Sequence, residues 1–167
     1  CAGSPALYRH HDISRTSIRL YPETGTRRVV EVKVGWSQSA EAVAEEEQGY
    51  AQQLEAAAAA LLEGTPPAGE GYTVEELTAI VRAAAGPYTP DGTNLALDAL
   101  SGEPASDFGL LMAMEYLCQQ CAIEVEPVRG SAGLWLITAT DGGYRHLLPQ
   151  SLRPEEDGEP EEGEESP

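Results

Sequence analysis

Positive charge is scarce in this chain. Ten lysines and arginines stand against 28 acids, a net charge of −18 over 167 residues. A nucleic-acid binder needs a basic footprint to neutralise phosphates, so nucleic acid is excluded as a partner. The same imbalance argues against non-specific adhesion to anionic lipid headgroups. Long apolar runs are missing as well. No stretch approaches the roughly 18 residues that a membrane-spanning helix needs. Cysteine is sparse, with three residues, and a chain of this length buries a core without disulfide staples.

What is present is organised unevenly. Residues 1–14 read as a polar leader. Residues 16–21 and 27–36 read as strands, because Val30, Val32, Val34 and Trp36 alternate with Glu31 and Lys33 at the period of a strand. Pro22-Glu23-Thr24-Gly25 supplies turn chemistry between them, which makes a hairpin. A helix over residues 39–63 follows, with Ser37 or Ser39 to cap it and Gly64 to end it. Its alanine run has high helix propensity but little apolar volume. Residues 65–71 are a linker rich in proline and glycine. Thr73-Val74-Glu75-Glu76 has the form of a capping box, and it opens a helix whose Leu77, Ile80, Val81 and Ala84 share one face. Gly86-Pro87 stops that helix.

A short helical turn is expected over residues 94–100. The most apolar helix spans residues 106–120. Phe108, Leu110, Leu111, Met112, Met114, Leu117 and Cys118 nearly encircle it, which predicts a central buried helix. Strands follow over residues 123–128, 134–140 and 144–148, the last two joined by Asp141-Gly142-Gly143. Eight acids lie between Glu155 and Glu165. Residues 154–167 have no apolar side chain and are expected to be disordered.

The order from Thr73 to Leu148 resembles the bacterial transglutaminase-like domain, a papain-like fold. Asn94-Leu95-Ala96-Leu97-Asp98-Ala99-Leu100 resembles the segment before the nucleophile. Asp107-Phe108-Gly109-Leu110 stands where that family has Cys-x-Gly-Tyr. Tyr116-Leu117 through Ala122-Ile123 resembles the helix end, and Val128-Arg129-Gly130 the Val-x-Gly. Trp135 fits the Trp of a strand beginning His-Ala-Trp-Asn, and Asp141 to Leu148 fits Asp-Gly-x-Trp-Tyr-x-Val-Asp. The resemblance implies an α+β fold with a central helix packed on an antiparallel sheet, carrying the N-terminal hairpin and long helix in front. It divides the chain into a leader (1–14), the hairpin and helix (15–64), the degenerate core (65–153) and the acidic tail (154–167).

The same resemblance implies lost chemistry. That family needs a thiolate at a helix N-terminus, a His to take its proton and an Asp to orient the His. The matching positions here are Asp107, Gly133 and Leu148, so no catalytic residue is expected and the chain is read as a non-enzyme. Asp107 also has a structural explanation. A carboxylate in a first helical turn stabilises the helix by roughly 0.3–1 kcal/mol.

Cys118-Gln119-Gln120-Cys121 carries the alternative, a thiol enzyme or redox protein. Redox C-x-x-C pairs sit at helix N-termini, whereas this pair falls at a C-terminal end, so buried structural cysteines are expected. A zinc site would need further ligands, and there is no second C-x-x-C. His10-His11-Asp12 lies in a polar leader, and the tail lacks an ordered calcium loop. No metal and no cofactor are expected. Trp135, Tyr144 and His146 are the candidate binding residues, for a protein, peptide or cell-wall ligand; core packing is the competing reading of the aromatic pair.

The chain opens Cys1-Ala2-Gly3-Ser4. This resembles a mature bacterial lipoprotein, cleaved before its lipid-bearing cysteine. The resemblance implies lipid attachment at Cys1, an extracytoplasmic location at the bacterial membrane, and membrane contact only through that lipid. An arbitrary chain boundary would leave the same residues. The expectation is a non-catalytic extracytoplasmic lipoprotein, with a structural assembly subunit as a further alternative. If so, the precursor incorporates radiolabelled fatty acid in cells and Cys1→Ser abolishes the label; an unlabelled native protein removes the anchor.

Overall fold

The computed structural model describes residues 13–155. Cys1, the His10-His11-Asp12 group and all of the acidic tail except Pro154 and Glu155 lie outside that range. Within it the fold is mixed α+β with antiparallel sheets.

The hairpin forms as the alternation predicts. β1 (Ile13–Tyr21) pairs antiparallel with β2 (Val29–Trp36), and Ile18 stands opposite Val32. Ser39 then caps α1 (Ala40–Gly64), its Oγ accepting the Ala42 N–H at 3.2 Å. The alanine-rich helix buries only Tyr50, Leu54 and Ala58, a single stripe at four-residue spacing.

The capping box closes at the start of α2 (Val74–Ala84). Thr73 Oγ1 accepts the Glu76 N–H at 3.2 Å, and the Glu76 carboxylate accepts the Thr73 N–H at 2.8 Å. A cap of this kind is worth about 1 kcal/mol. Leu77, Ile80 and Val81 are buried beneath it.

A short strand that the sequence reading did not anticipate comes next. β3 (Tyr88–Thr93) bridges Ala105 from both of its ends. α3 (Ala96–Leu100) is a single turn and starts later than expected. The Tyr50 hydroxyl accepts the Leu97 N–H at 3.2 Å, so α1 satisfies one of the open donors at the start of α3.

α4 (Asp107–Gln120) is the centre. Every residue from Gly109 to Cys118 is buried. Phe108 departs from expectation: it is 39% exposed, at the margin of the core. Close packing continues to the backbone. A Cβ at Gly109 would lie 2.2 Å from the Thr93 carbonyl oxygen, so only glycine lets β3 approach the first turn of α4.

β4 (Glu126–Gly130), β5 (Gly133–Thr140) and β6 (Gly143–Leu147) form an antiparallel sheet in that order. Leu136 pairs with Leu147 and Thr138 with Arg145. Leu134, Leu136 and Leu147 belong to the core around α4. Trp135, Ile137, Tyr144 and His146 therefore take the opposite, outward face. A 3-10 turn over Pro149–Leu152, also unanticipated, closes the core with the buried Leu152.

α4 ends in a Schellman motif. The Ile123 N–H bonds the Cys118 carbonyl at 2.9 Å and the Ala122 N–H bonds that of Gln119 at 3.3 Å. The residue that follows the cap takes the left-handed conformation, and it is an alanine: Ala122 has φ 56°. An L-residue pays roughly 1–2 kcal/mol there, partly offset by the greater unfolded-chain entropy of glycine. Ala122→Gly should therefore stabilise the fold by about 0.5–1 kcal/mol, read as a rise in urea midpoint without a change in slope.

Candidate functional site

The segment at the start of α4 is held by a polar knot. Ser106 caps the helix, its Oγ accepting the Gly109 N–H at 3.2 Å. The same hydroxyl lies within donating reach of the Thr93 carbonyl and the Asn94 side-chain oxygen. Thr93 Oγ1 donates to Asp98 at 2.9 Å and accepts the Leu95 N–H at 3.1 Å. This network fixes β3, α3 and α4 against one another.

Asp107 is the first residue of α4, and its carboxylate is fully engaged. Arg153 Nε and Nη2 donate to its two oxygens at 3.0 and 2.9 Å. The guanidinium in turn lies 3.7 Å from the centre of the Tyr88 ring. Both members of the pair are about one-third exposed. A bidentate geometry with an aromatic lid places this above an ordinary surface ion pair. A cleft of about 560 Å³ opens beside it, lined by Ala85, Gly86, Pro87, Tyr88, Arg153 and Pro154 with Glu155. Sequence reading missed Arg153 and Tyr88 as partners. They are 65 residues apart and carry no local pattern.

The other two positions of interest are Gly133 and Leu148. Gly133 opens β5 at φ 117° and a Cβ there would meet nothing within 4 Å. Only glycine adopts that backbone readily, so a histidine at this turn would be strained. Leu148, half exposed, lines a groove of about 390 Å³ between β6 and α2, together with Arg82, Arg145 and His146. Arg145 is paired with Glu75, and Arg82 donates to the Ser151 carbonyl.

Two of the candidate binding residues come together. Trp135 and His146 stack across β5 and β6, with centroids 6.2 Å apart and planes 15° from parallel. Tyr144, on the same outward face, is 70% exposed, which removes it from the core. The Trp135 Nε1–H is buried with no acceptor among the described residues, an arrangement that costs about 1–3 kcal/mol.

The thiols face inward. Cys118 and Cys121 are both free, the first buried and the second half-buried. Burial, then the neighbouring Cys121 and Glu115, push the Cys118 thiol up to about 12. Burial also raises that of Cys121. Both lie at the C-terminal end of α4, where the helix dipole opposes a thiolate. His146 is on the far face of the sheet from this core and stacks on Trp135. No cluster of three or more metal-ligating side chains occurs among the described residues.

No protein-family model, no curated protein and no solved structure matches this chain.

Glu115 is the one acid inside the core. It is 3% exposed, one oxygen lacks any partner among the described residues, and the other accepts only a long bond from Gln119 at 3.4 Å. Burial raises its carboxyl above the usual carboxylate range. The folded chain thus holds this proton more tightly than the unfolded chain. The stability this brings is complete below the unfolded value, about pH 4, and is lost as pH rises through the folded one. Glu115→Gln should be more stable than the parent, by a margin that widens between pH 4.5 and 7.5. Urea midpoints at the two pH values test this; a margin that does not change with pH exonerates Glu115.

Proposed function

We propose that this chain is a non-catalytic binding module, built on a degenerate transglutaminase-like core. The observation that carries the reading is the ion pair at the start of α4. The helix N-terminus is where a thiolate would gain most from the dipole. The residue there is Asp107, and Arg153 occupies both of its oxygens. A position suited to a nucleophile is spent on holding the chain's last described segment against the helix.

The ligand-binding part of the reading rests on the outward face of β5 and β6. Trp135, Tyr144 and His146 form an aromatic surface there, and flat rings on a rigid sheet suit an extended peptide or a sugar-containing cell-wall polymer. Recognition of this kind needs no proton transfer and no cofactor. The inward-facing, proton-retaining thiols weigh against the alternative of a thiol enzyme.

Two measurements test the reading together. Cys118 and Cys121 in the folded protein should alkylate with iodoacetamide more slowly at pH 7 than a free cysteine, while denatured protein reacts fully. Binding to isolated peptidoglycan, or to a peptide array, should weaken at least ~10-fold in Tyr144→Ala without loss of folded protein. Rapid stoichiometric alkylation of either thiol, abolishing turnover of a glutamine-containing peptide, would overturn the non-catalytic reading.

A further inference from the structure

The β1–β2 hairpin exposes a row of apolar side chains that nothing described covers. Ile18, Leu20, Val30, Val32 and Val34 share one pleat face, with Trp36 continuing the row. They are 40–67% exposed. The core has no place for them. It runs from Tyr50 to Leu152 and is closed around α4. The hairpin is joined to it through the start of α1, whose first buried side chain is Tyr50. Two strands alone are at best marginally stable in water, so this face has reason to be covered.

Charge identifies the kind of cover. Residues 13–36 hold five cations against two acids, which makes the hairpin +3 and the remainder of the chain −21. Arg15, Arg19 and Lys33 lie on the other pleat face from Val30, Val32 and Val34, the face that also exposes Tyr21 and Val29. A membrane surface would need cations beside the apolar row to meet anionic headgroups, and the acidic remainder would be repelled from it. A second hairpin fits better. With apolar face against apolar face the cations of both copies point to water, and no like charges meet across the interface. The acidic body of each copy also attracts the basic arm of the other.

Area agrees. The six side chains expose roughly 500 Å² per copy, so a symmetric pair buries about 1,000 Å², the lower limit for a specific interface. We propose that two copies of this chain associate through the apolar faces of their β1–β2 hairpins, as a two-layer β arrangement about a two-fold axis. The association is isologous, so each residue of the row faces its counterpart region on the other copy.

Sedimentation equilibrium of the full chain tests this. The parent should show twice the 17.8 kDa chain mass at micromolar concentration. Ile18→Thr with Val32→Thr keeps β-branched residues in a cross-strand pair, so the strands persist, yet it removes apolar area. It should raise the dimer dissociation constant at least ~100-fold. Lys33→Gln, on the opposite face, should leave the constant unchanged within about threefold. A parent that stays monomeric overturns the proposal. In that case flotation with anionic vesicles, lost in the Thr pair, assigns the face to a membrane. Dimerisation appearing only after deletion of residues 1–12 assigns it to the chain's own N-terminal segment. A dimer unmoved by the Thr pair overturns it equally, because the contact then lies elsewhere.

Discussion

α4 carries apolar side chains on every side, and a helix of that kind is stable in water only when every side is covered. The layout of the body follows from that requirement. α2 and α3 cover one flank, the inner face of β5 and β6 another, and the Pro149–Leu152 turn closes the remainder. The covering extends to glycine-only backbone approach at Gly109. Glu115 is the exception within this shell. Burial raises the carboxyl of this one acid above the usual carboxylate range, which ties the stability of the core to pH.

The polar knot at the head of α4 has a different role. Ser106, Thr93, Asn94 and Asp98 satisfy donors and acceptors that the close packing would otherwise strand. Asp107 and Arg153 extend the knot to the chain's C-terminal side, with Tyr88 beneath the guanidinium. Helix-dipole stabilisation of an anion at this end therefore serves architecture. Two other surfaces are left for interaction: the aromatic outward face of the sheet, and the hairpin.

The hairpin and the body solve opposite problems. The body hides its apolar side chains and shows acids. The hairpin shows its apolar row and carries half of the chain's cations. A chain divided this way has a built-in direction for association, because its basic, apolar arm differs in both respects from the surface behind it.

Local signals in the sequence determined the hairpin, the capping box at Thr73, the boundaries of α1 and α4 and the inward burial of Cys118. Each depends on residues within about one or two turns of one another, where alternation, helical periodicity and side-chain caps act directly on the backbone. The central place of α4 was legible for the same reason. Only the tertiary structure decided the rest. β3 has no apolar alternation and exists through its bridges to Ala105. Arg153 reaches Asp107 across 46 residues. Val30, Val32 and Val34 have the alternation of a buried face, and the sequence does not say whether a face is covered. Periodicity specifies which side chains share a surface, while burial depends on what the rest of the chain brings against that surface.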